Sequence, residues 1–160
     1  MAEQKTNVMR VLEQKKIHYT AHSYPHGDEA VDGLTVAKIT GQDPAKVFKT
    51  LVAQGASKKF YVFVIPVAAE LDLKKAAKAV GEKSIAMVKV SELLGLTGYV
   101  RGGCSPVGMK KQYPTFYHNS AEGLDTLLVS AGKIGWQIEL APAELIKLTR
   151  GRTADLIAEG

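Results

Sequence analysis

The chain contains the segment Val47-Phe-Lys-Thr-Leu-Val-Ala53 and, shortly after it, the segment Phe60-Tyr-Val-Phe-Val-Ile-Pro-Val67. Both are apolar and rich in the β-branched and aromatic residues that favour strands. The polar stretch Gly55-Ala-Ser-Lys-Lys59 separates them, and two such runs with a short glycine-containing connection predict an antiparallel hairpin. Because a strand that is apolar on both faces is usually buried, we expect the first of these strands to lie in the core.

Helices are predicted on either side of this hairpin. Asp72 can cap a helix over 73–80 that ends at Gly81, and Pro142 opens a last amphipathic helix. Thr6 or Asn7 can cap a first helix to about residue 16, a short helix around 34–39 is closed by Gly41, and Asp43-Pro44 starts a further turn. Further strands are predicted at 19–24, 98–100, 115–118, 126–129 and 137–140.

Strands that cluster in the middle of a chain, with helices towards its ends, predict an α+β fold instead of alternating βαβ units. We therefore expect a mixed, curved sheet flanked by helices. No repeat, low-complexity tract or linker interrupts the sequence, and 160 residues suit one domain better than two. The expectation is a single domain over residues 1–160.

The composition is that of an ordinary globular chain with a mild excess of positive charge. Hydrophobic residues make up 46% of it, and 21 Lys and Arg against 16 Asp and Glu leave a net charge of +5. This excess is compatible with a polyanionic partner, although no long basic run is present. Cys104 is the single cysteine, which excludes an internal disulfide. No apolar run is long enough for a signal peptide or a membrane span, so we expect a cytoplasmic protein with no membrane partner.

A glycine-rich loop, Tyr99-Val-Arg-Gly-Gly-Cys-Ser-Pro-Val-Gly108, is the strongest candidate for a binding site. Gly102 and Gly103 can adopt backbone angles closed to other residues, so their N–H groups and that of Cys104 can converge on an oxygen or a phosphate. The loop is not a Walker motif, because Met109 follows the second glycine and Lys111 stands where Ser or Thr would bind magnesium. A tight turn between strands is the simpler interpretation of the two glycines alone.

Lys49 interrupts an otherwise apolar strand. Either the strand lies at a sheet edge and Lys49 reaches water, or its ammonium group is buried and requires a partner. The residues alone leave both interpretations open.

A metal site is not expected. His18, His22 and His26 recur every four residues, but Tyr24 and Pro25 argue for an extended chain, in which residues four apart lie about 13 Å from each other. His118 falls in an apolar strand and is expected to be a hydrogen-bonded core residue. No cofactor is implied by any motif.

Several motifs, in this order, resemble the YbaK/EbsC family of free-standing aminoacyl-tRNA deacylases, which are related to the editing domain of bacterial prolyl-tRNA synthetase. They are Val47-Phe-Lys-Thr-Leu51, Leu71-Asp-Leu-Lys-Lys75, Gly102-Gly-Cys-Ser-Pro-Val-Gly108, and Val129-Ser-Ala-Gly-Lys133 with Ile138-Glu-Leu140. The resemblance covers nearly the whole chain. It implies a barrel-like sheet flanked by helices, and an aminoacyl-tRNA 3′ end as partner.

The resemblance also implies roles for individual residues. Lys49 would hold the 3′-terminal phosphate or ribose and neutralise charge at the ester, while the backbone of Gly102, Gly103 and Cys104 would stabilise the oxyanion. Substrate-binding residues would be Tyr24, Ser105, Ser130 and Gln137. Gln137 departs from the aspartate of some family members, which puts a role for negative charge at this position in doubt. Glu139 and Lys133 are nearby alternatives.

The function implied is the clearance of Cys-tRNA(Pro), in which the substrate's own thiol attacks its ester and leaves as a thiolactone. Cys104 would then contribute only its backbone N–H, although a nucleophilic cysteine remains the alternative if a base lies within reach. Two other functions stay open: an editing enzyme for another amino acid, such as that of Ala-tRNA(Pro), and a non-catalytic module that binds a nucleotide or a tRNA end. Prolyl-tRNA synthetase is a possible partner by the same resemblance, and the sequence does not define an oligomeric state.

Overall fold

A computed structural model describes residues 5–27 and 31–159. Its helices are α1 (Asn7–Gln14), α2 (Gly33–Thr40), α3 (Leu73–Val80), α4 (Val90–Thr97) and α5 (Pro142–Thr149), with short 3-10 turns at Pro44–Lys46 and Asn119–Gly123. Its strands are β1 (Thr20–Ser23), β2 (Phe48–Gly55), β3 (Phe60–Pro66), β4 (Ile85–Met87), β5 (Thr115–His118), β6 (Leu127–Ser130), β7 (Trp136–Leu140) and β8 (Arg152–Ala154).

The strands form two sheets in the part of the chain that the structure describes. A five-stranded sheet has the order β4-β2-β3-β5-β8, with antiparallel pairs on the β4 side and parallel pairs on the β8 side. A three-stranded antiparallel sheet has the order β1-β7-β6. A single parallel bridge between Val47 and Leu128 connects them. The α+β class with a mixed sheet is confirmed, but the one curved sheet that we expected is divided in two where β2 and β6 diverge.

The predicted hairpin is confirmed as β2 and β3, which pair from Phe48 with Pro66 to Gln54 with Phe60. Its two faces pack against different hydrophobic clusters. Val62 and Val64 belong to the cluster that contains α1, whereas Phe63 and Ile65 pack with the α3 side. All four side chains are fully buried. Burial on both faces explains why this segment is apolar without alternation.

The predicted helix boundaries are confirmed by their capping groups. The side chains of Thr6, Asp32 and Asp72 accept hydrogen bonds from backbone N–H groups in the first turns of α1, α2 and α3. Gly41 and Gly81 end α2 and α3 with φ of 72° and 78°, a left-handed conformation that glycine adopts without a Cβ clash. These caps fix where the chain turns back to the sheet.

The strand predicted at 98–100 is wrong. Gly98 is the left-handed cap of α4, with φ of 86°, and the glycine-rich loop leaves this helix directly. Three elements, α4, β4 and β8, were not predicted. Lys89 precedes α4 without a side-chain cap hydrogen bond, and β4 and β8 span only three residues each, so each gives a weak local signal.

No helix in the described ranges is long and apolar enough to cross a bilayer.

Candidate active site

A small cavity lies where β2, the glycine-rich loop and the ends of β6 and β7 meet. Its volume is about 110 Å³. Six of the residues predicted for the site line it, although they come from five separate parts of the chain: Tyr24, Lys49, Gly102, Cys104, Ser130 and Gln137. The fold therefore brings together groups that are up to 113 positions apart, from Tyr24 to Gln137.

Two predicted residues, Gly103 and Ser105, do not line the cavity. The N–H of Gly103 donates to the carbonyl of Val100 at 3.0 Å, and a Cβ at Gly103 would lie 3.0 Å from the backbone nitrogen of Ile134. Ser105 is fully buried, and its hydroxyl oxygen accepts the N–H of Val107 at 3.2 Å. Both residues shape the loop and pack it against its neighbours.

The glycine-rich loop therefore offers two free N–H groups to the cavity instead of three. Among the described residues, no acceptor takes the N–H of Gly102 or of Cys104. Gly102 has φ of 85°, which favours glycine at this position. Two unpaired N–H groups, separated by one residue and belonging to residues that line a cavity, can stabilise an oxyanion or hold a phosphate oxygen.

Lys49 is partly buried at the cavity, near the start of β2, opposite Ile65 of β3. Burial lowers the pKa of its ammonium group, and the more distant charge of Glu70 partly opposes this effect. Within residues 5–27 and 31–159, no carboxylate forms an ion pair with Lys49. Of the two interpretations of Lys49, the structure has the partly buried cation. Its strand is not the edge strand of the sheet, although β4 pairs with it only at residues 53–55.

The thiol of Cys104 is poorly suited to nucleophilic attack. Burial raises its pKa to about 12, and a hydrogen bond with the Thr97 side chain opposes this only weakly. A cysteine nucleophile acts as the thiolate, which such a pKa disfavours at neutral pH. The described residues around the cavity include no histidine that would serve as a base.

Ser130 and Gln137 face each other across β6 and β7. The Ser130 oxygen accepts the N–H of Gly132 at 3.1 Å, which leaves its own proton available to a ligand. Gln137 is only 6% exposed, and its Oε1 has no hydrogen-bond partner among the described residues. Because buried polar atoms are normally paired, this oxygen marks a position where a donor from a ligand fits.

Thr50 is a cavity residue that sequence reasoning missed. Its Oγ1 is buried and lacks a hydrogen-bond partner in the described part of the chain, as does Oε1 of Gln137. Neighbouring residues in a strand normally point to opposite faces, so the assignment of Lys49 to the site gave no reason to add Thr50. Two unsatisfied polar atoms thus border the same cavity as the Lys49 cation.

Glu139 and Lys133, the nearby alternatives, lie outside this cavity. The Glu139 carboxylate accepts hydrogen bonds from the Thr126 hydroxyl and the Lys46 ammonium, and its Oε1 lies 2.8 Å from Nε2 of His22. These contacts, the one with Thr126 above all, lower its pKa to about 2. His22 is thus engaged by a carboxylate, and its place in β1 confirms an extended chain there. Over residues 5–27 and 31–159, no group of three His, Cys, Asp or Glu is placed to hold a metal ion.

His118 is a buried core residue, as predicted. Its Nδ1 accepts the backbone N–H of Leu156 at 3.2 Å. This hydrogen bond ties the end of β5 to the segment after β8.

The sequence and the fold can be compared with those of known proteins. A profile of the aminoacyl-tRNA editing domain matches residues 29–148. The chain belongs to this family. The chain is 45% identical over 154 residues to EbsC of Enterococcus faecalis, a candidate Cys-tRNA(Pro)/Cys-tRNA(Cys) deacylase, with 96% of this chain and 94% of that protein covered.

Solved structures share the fold of this editing domain. A candidate trans-editing enzyme for prolyl-tRNA synthetase superimposes with a TM-score of 0.83 at 25% identity, over 98% of this chain and 100% of the other. The hypothetical protein APE2540 superimposes with a TM-score of 0.86 at 19% identity, over 96% of this chain and 100% of its own. The resemblance to the YbaK/EbsC family is therefore confirmed, and so is the fold that it implies.

Proposed function

We propose that this protein is a trans-editing deacylase that removes cysteine from mischarged tRNA(Pro). The observation that carries the proposal is the cavity in which Lys49, two free backbone N–H groups and two unsatisfied side-chain oxygens surround a small space. Membership of the editing family and the 45% identity to EbsC, named for Cys-tRNA(Pro) and Cys-tRNA(Cys), support this substrate class.

The size of the cavity suits a small amino acid. Its volume of about 110 Å³ is well below the roughly 300–1,000 Å³ of pockets for drug-sized ligands. Cysteine and alanine both meet this limit, so size alone does not choose between a cysteine and an alanine editing enzyme. The chemistry of cleavage makes the distinction.

The reaction that we propose uses the thiol of the substrate. The cysteinyl sulfur attacks the carbonyl carbon of its own ester, a carbon–sulfur bond forms, and the bond from that carbon to the ribose oxygen breaks. The thiol proton ends on the ribose oxygen. The products are a cyclic thiolactone and a tRNA with a free terminal hydroxyl, so no nucleophile from the protein is required. This agrees with the raised pKa of Cys104.

The protein's part is to hold the ester in the reactive conformation and to stabilise the negative charge that develops on the carbonyl oxygen. The N–H groups of Gly102 and Cys104 face that oxygen, and Lys49 supplies positive charge to it or to the terminal phosphate. Gln137 Oε1 accepts a hydrogen bond from the substrate's α-ammonium group. The hydroxyls of Thr50 and Ser130 position the ester and the ribose.

The macromolecular partner that we propose is the 3′ end of a charged tRNA, in the cytoplasm where tRNA is aminoacylated. Residues 1–160 act as one editing domain, and prolyl-tRNA synthetase supplies the selection of tRNA(Pro). This division of labour follows from the net charge of +5 without a long basic run.

Deacylation of a panel of aminoacyl-tRNAs tests the proposal. Cysteine, serine, alanine and proline are each placed on tRNA(Pro), with serine as the matched control because a hydroxyl replaces the thiol. We expect rapid cleavage of the cysteinyl ester only, with thiolactone as the product. Equal cleavage of the seryl and alanyl esters would assign water as nucleophile. Binding of all four without turnover would indicate a non-catalytic module.

A further inference from the structure

A groove with apolar walls lies beside the cavity, between β2, the start of α4 and the glycine-rich loop. It has a volume of about 360 Å³. Its apolar lining comes from the aliphatic and thioether side chains of Leu51, Val52, Met87, Val88, Val90 and Leu93. The side chains of Met87 and Val90 are 44% and 60% exposed. Exposed apolar side chains that line a concave surface mark a place where a ligand packs.

The groove adjoins the cavity. Thr50, Gly102 and Cys104 line both. Two of these residues carry the free N–H groups that we assign to the ester. The groove is therefore a neighbouring surface for a molecule whose aminoacyl end occupies the cavity.

The charge of the groove suits a polyanion. Lys89 and Arg101 line it, both are exposed, and the lining contains no carboxylate. Neither cation forms an ion pair with any residue that the structure describes. Two unpaired cations beside apolar walls match the two parts of a single-stranded nucleotide, a phosphate and a base.

We propose that this groove binds the unpaired nucleotides that precede the terminal adenosine of the tRNA. The inference rests on the proposed function, since it takes the occupant of the cavity to be an aminoacyl ester on a 3′ ribose. The ester is covalently attached to the polynucleotide, so the RNA must leave the cavity through an adjoining opening. The bases lie on the aliphatic walls, while Lys89 and Arg101 contact the phosphates.

A second opening adjoins the cavity and supplies the competing route. Lys5, Asn7, Gly132 and Lys133 line it, and it shares only Trp136 with the cavity. Its volume of about 230 Å³ is smaller, and it lacks an aliphatic wall. The groove at α4 shares more residues with the cavity and has apolar walls, so we favour it as the exit for the RNA. Substitution of Lys133 tests whether the RNA leaves through the second opening instead.

The test is binding of a fluorescent single-stranded RNA that ends in CCA, measured by anisotropy over a series of salt concentrations. The double variant Lys89→Ala/Arg101→Ala is expected to weaken binding about tenfold at low salt, because two phosphate contacts are lost. The slope of log affinity against log salt should decrease in magnitude by about 1.4, at about 0.7 per phosphate on a single strand. Arg10→Ala/Lys78→Ala, which removes two exposed cations outside the groove, is the matched control and should bind as the wild type does.

A substitution in the apolar wall provides a second test that is compatible with folding. Val90 is the first residue of α4, where a negative side chain is favourable to the helix. Val90→Asp places negative charge in the groove and should weaken RNA binding more than the neutral Val90→Asn does.

The outcomes separate this inference from the proposed function. Normal RNA binding by both groove variants overturns the inference, and so does a loss that occurs only in Lys133→Ala. If Val90→Asp instead loses binding to prolyl-tRNA synthetase while RNA binding is unchanged, the groove is a protein interface and the inference is wrong. If the groove variants lose RNA binding but the wild type deacylates no aminoacyl-tRNA, the proposed function falls and the groove remains an RNA site.

Discussion

At the scale of single residues, Lys49 is the clearest conflict between stability and function. A partly buried ammonium group without a carboxylate partner among the described residues costs free energy, and its lowered pKa is the measure of that cost. Native proteins retain such groups where a ligand supplies the missing partner. An anionic oxygen of the substrate fits this requirement.

We expect Lys49→Ala to abolish deacylation and to leave the fold intact. Removal of a desolvated cation breaks no ion pair among the described residues and gives up only the weaker attraction of Glu70, so the free energy of unfolding should stay constant or rise. Lys49→Met, which keeps the apolar stem, should show the rise more clearly. Because the folded pKa is lowered, the rise should be greatest at neutral pH and shrink as pH approaches the ordinary pKa of lysine.

These expectations are checked by single-turnover kinetics and by urea unfolding at two pH values. Near wild-type turnover in either variant would remove Lys49 from the active site. A large loss of stability in Lys49→Met would show that the ammonium group has a structural partner.

Cys104 should tolerate replacement. A thiol whose pKa is raised to about 12 is protonated at neutral pH. Cys104→Ala should therefore keep most of the activity. In the wild type, the Cys104 thiol should react slowly with thiol reagents. The backbone N–H that we assign to the oxyanion is unchanged by this substitution. A loss of about a thousandfold in the rate of cleavage, the scale on which catalytic nucleophiles act, would instead identify Cys104 as the nucleophile.

At the scale of elements, α4 contains a glycine in its interior that lowers the stability of the helix. Gly95 lies inside the helix with nothing within 4 Å of the position that a Cβ would occupy. Glycine in a helix interior costs about 0.5–1 kcal/mol relative to alanine, so Gly95→Ala should stabilise the protein by that amount.

Gly41 is the matched comparison for Gly95. A Cβ there also meets nothing within 4 Å, but φ is 72°. Gly41→Ala should therefore destabilise the protein by about 1–2 kcal/mol, because the left-handed conformation is unfavourable for alanine. Equilibrium unfolding of both variants checks the pair, and shifts of the same sign would contradict the backbone explanation.

The elements also show what the sequence could predict. Thr6 and Asp72 placed two helices through their N-caps, Gly41 placed the end of a third, and the apolar hairpin placed β2 and β3. The site was less accessible to prediction because its geometry depends on tertiary contacts. Ser105 belongs to the glycine-rich motif but is turned inward, whereas Thr50 lines the cavity against simple strand alternation. Neither fact is visible in local spacing.

Glu139 adds side-chain contacts between β7 and its two neighbouring strands, and between β7 and the turn before β2. Its carboxylate joins β7 to His22 in β1, to Lys46 before β2 and to Thr126 before β6. Its folded pKa of about 2 lies below the ordinary value, so its contribution is complete above about pH 4.3 and is lost as pH falls through the folded pKa. The size of this contribution is at most about 3 kcal/mol.

Glu139→Gln should therefore lower the free energy of unfolding at neutral pH by up to about 3 kcal/mol, and the difference from wild type should close as pH falls from about 4 towards 2. Urea unfolding of both proteins over this range measures it. Glu144→Gln, which removes an exposed carboxylate in the first turn of α5 outside the cluster, is the control and should lower the free energy of unfolding by no more than about 0.3–1 kcal/mol. A constant difference at all pH values would show that the charge is not responsible.

At the scale of the whole molecule, the surface charge is too small to hold an entire tRNA strongly. A net charge of +5 without a long basic run leaves the cavity and the groove at α4 as the main contacts with RNA. Under the proposed function, we expect the protein to recognise the end that all tRNAs share, and the choice of tRNA to come from a partner.

We expect the isolated protein to deacylate cysteine on two different tRNAs at similar rates. The slope of log affinity for tRNA against log salt should be shallow, with a magnitude of roughly 2–4, because few phosphates are neutralised. Addition of prolyl-tRNA synthetase should sharpen the preference for tRNA(Pro) without changing the preference for cysteine. Deacylation rates on both tRNAs, with and without the synthetase and at two salt concentrations, provide the measurement. Strong selectivity by the isolated protein, together with a steep salt slope, would mean that an extended basic surface contacts the tRNA body.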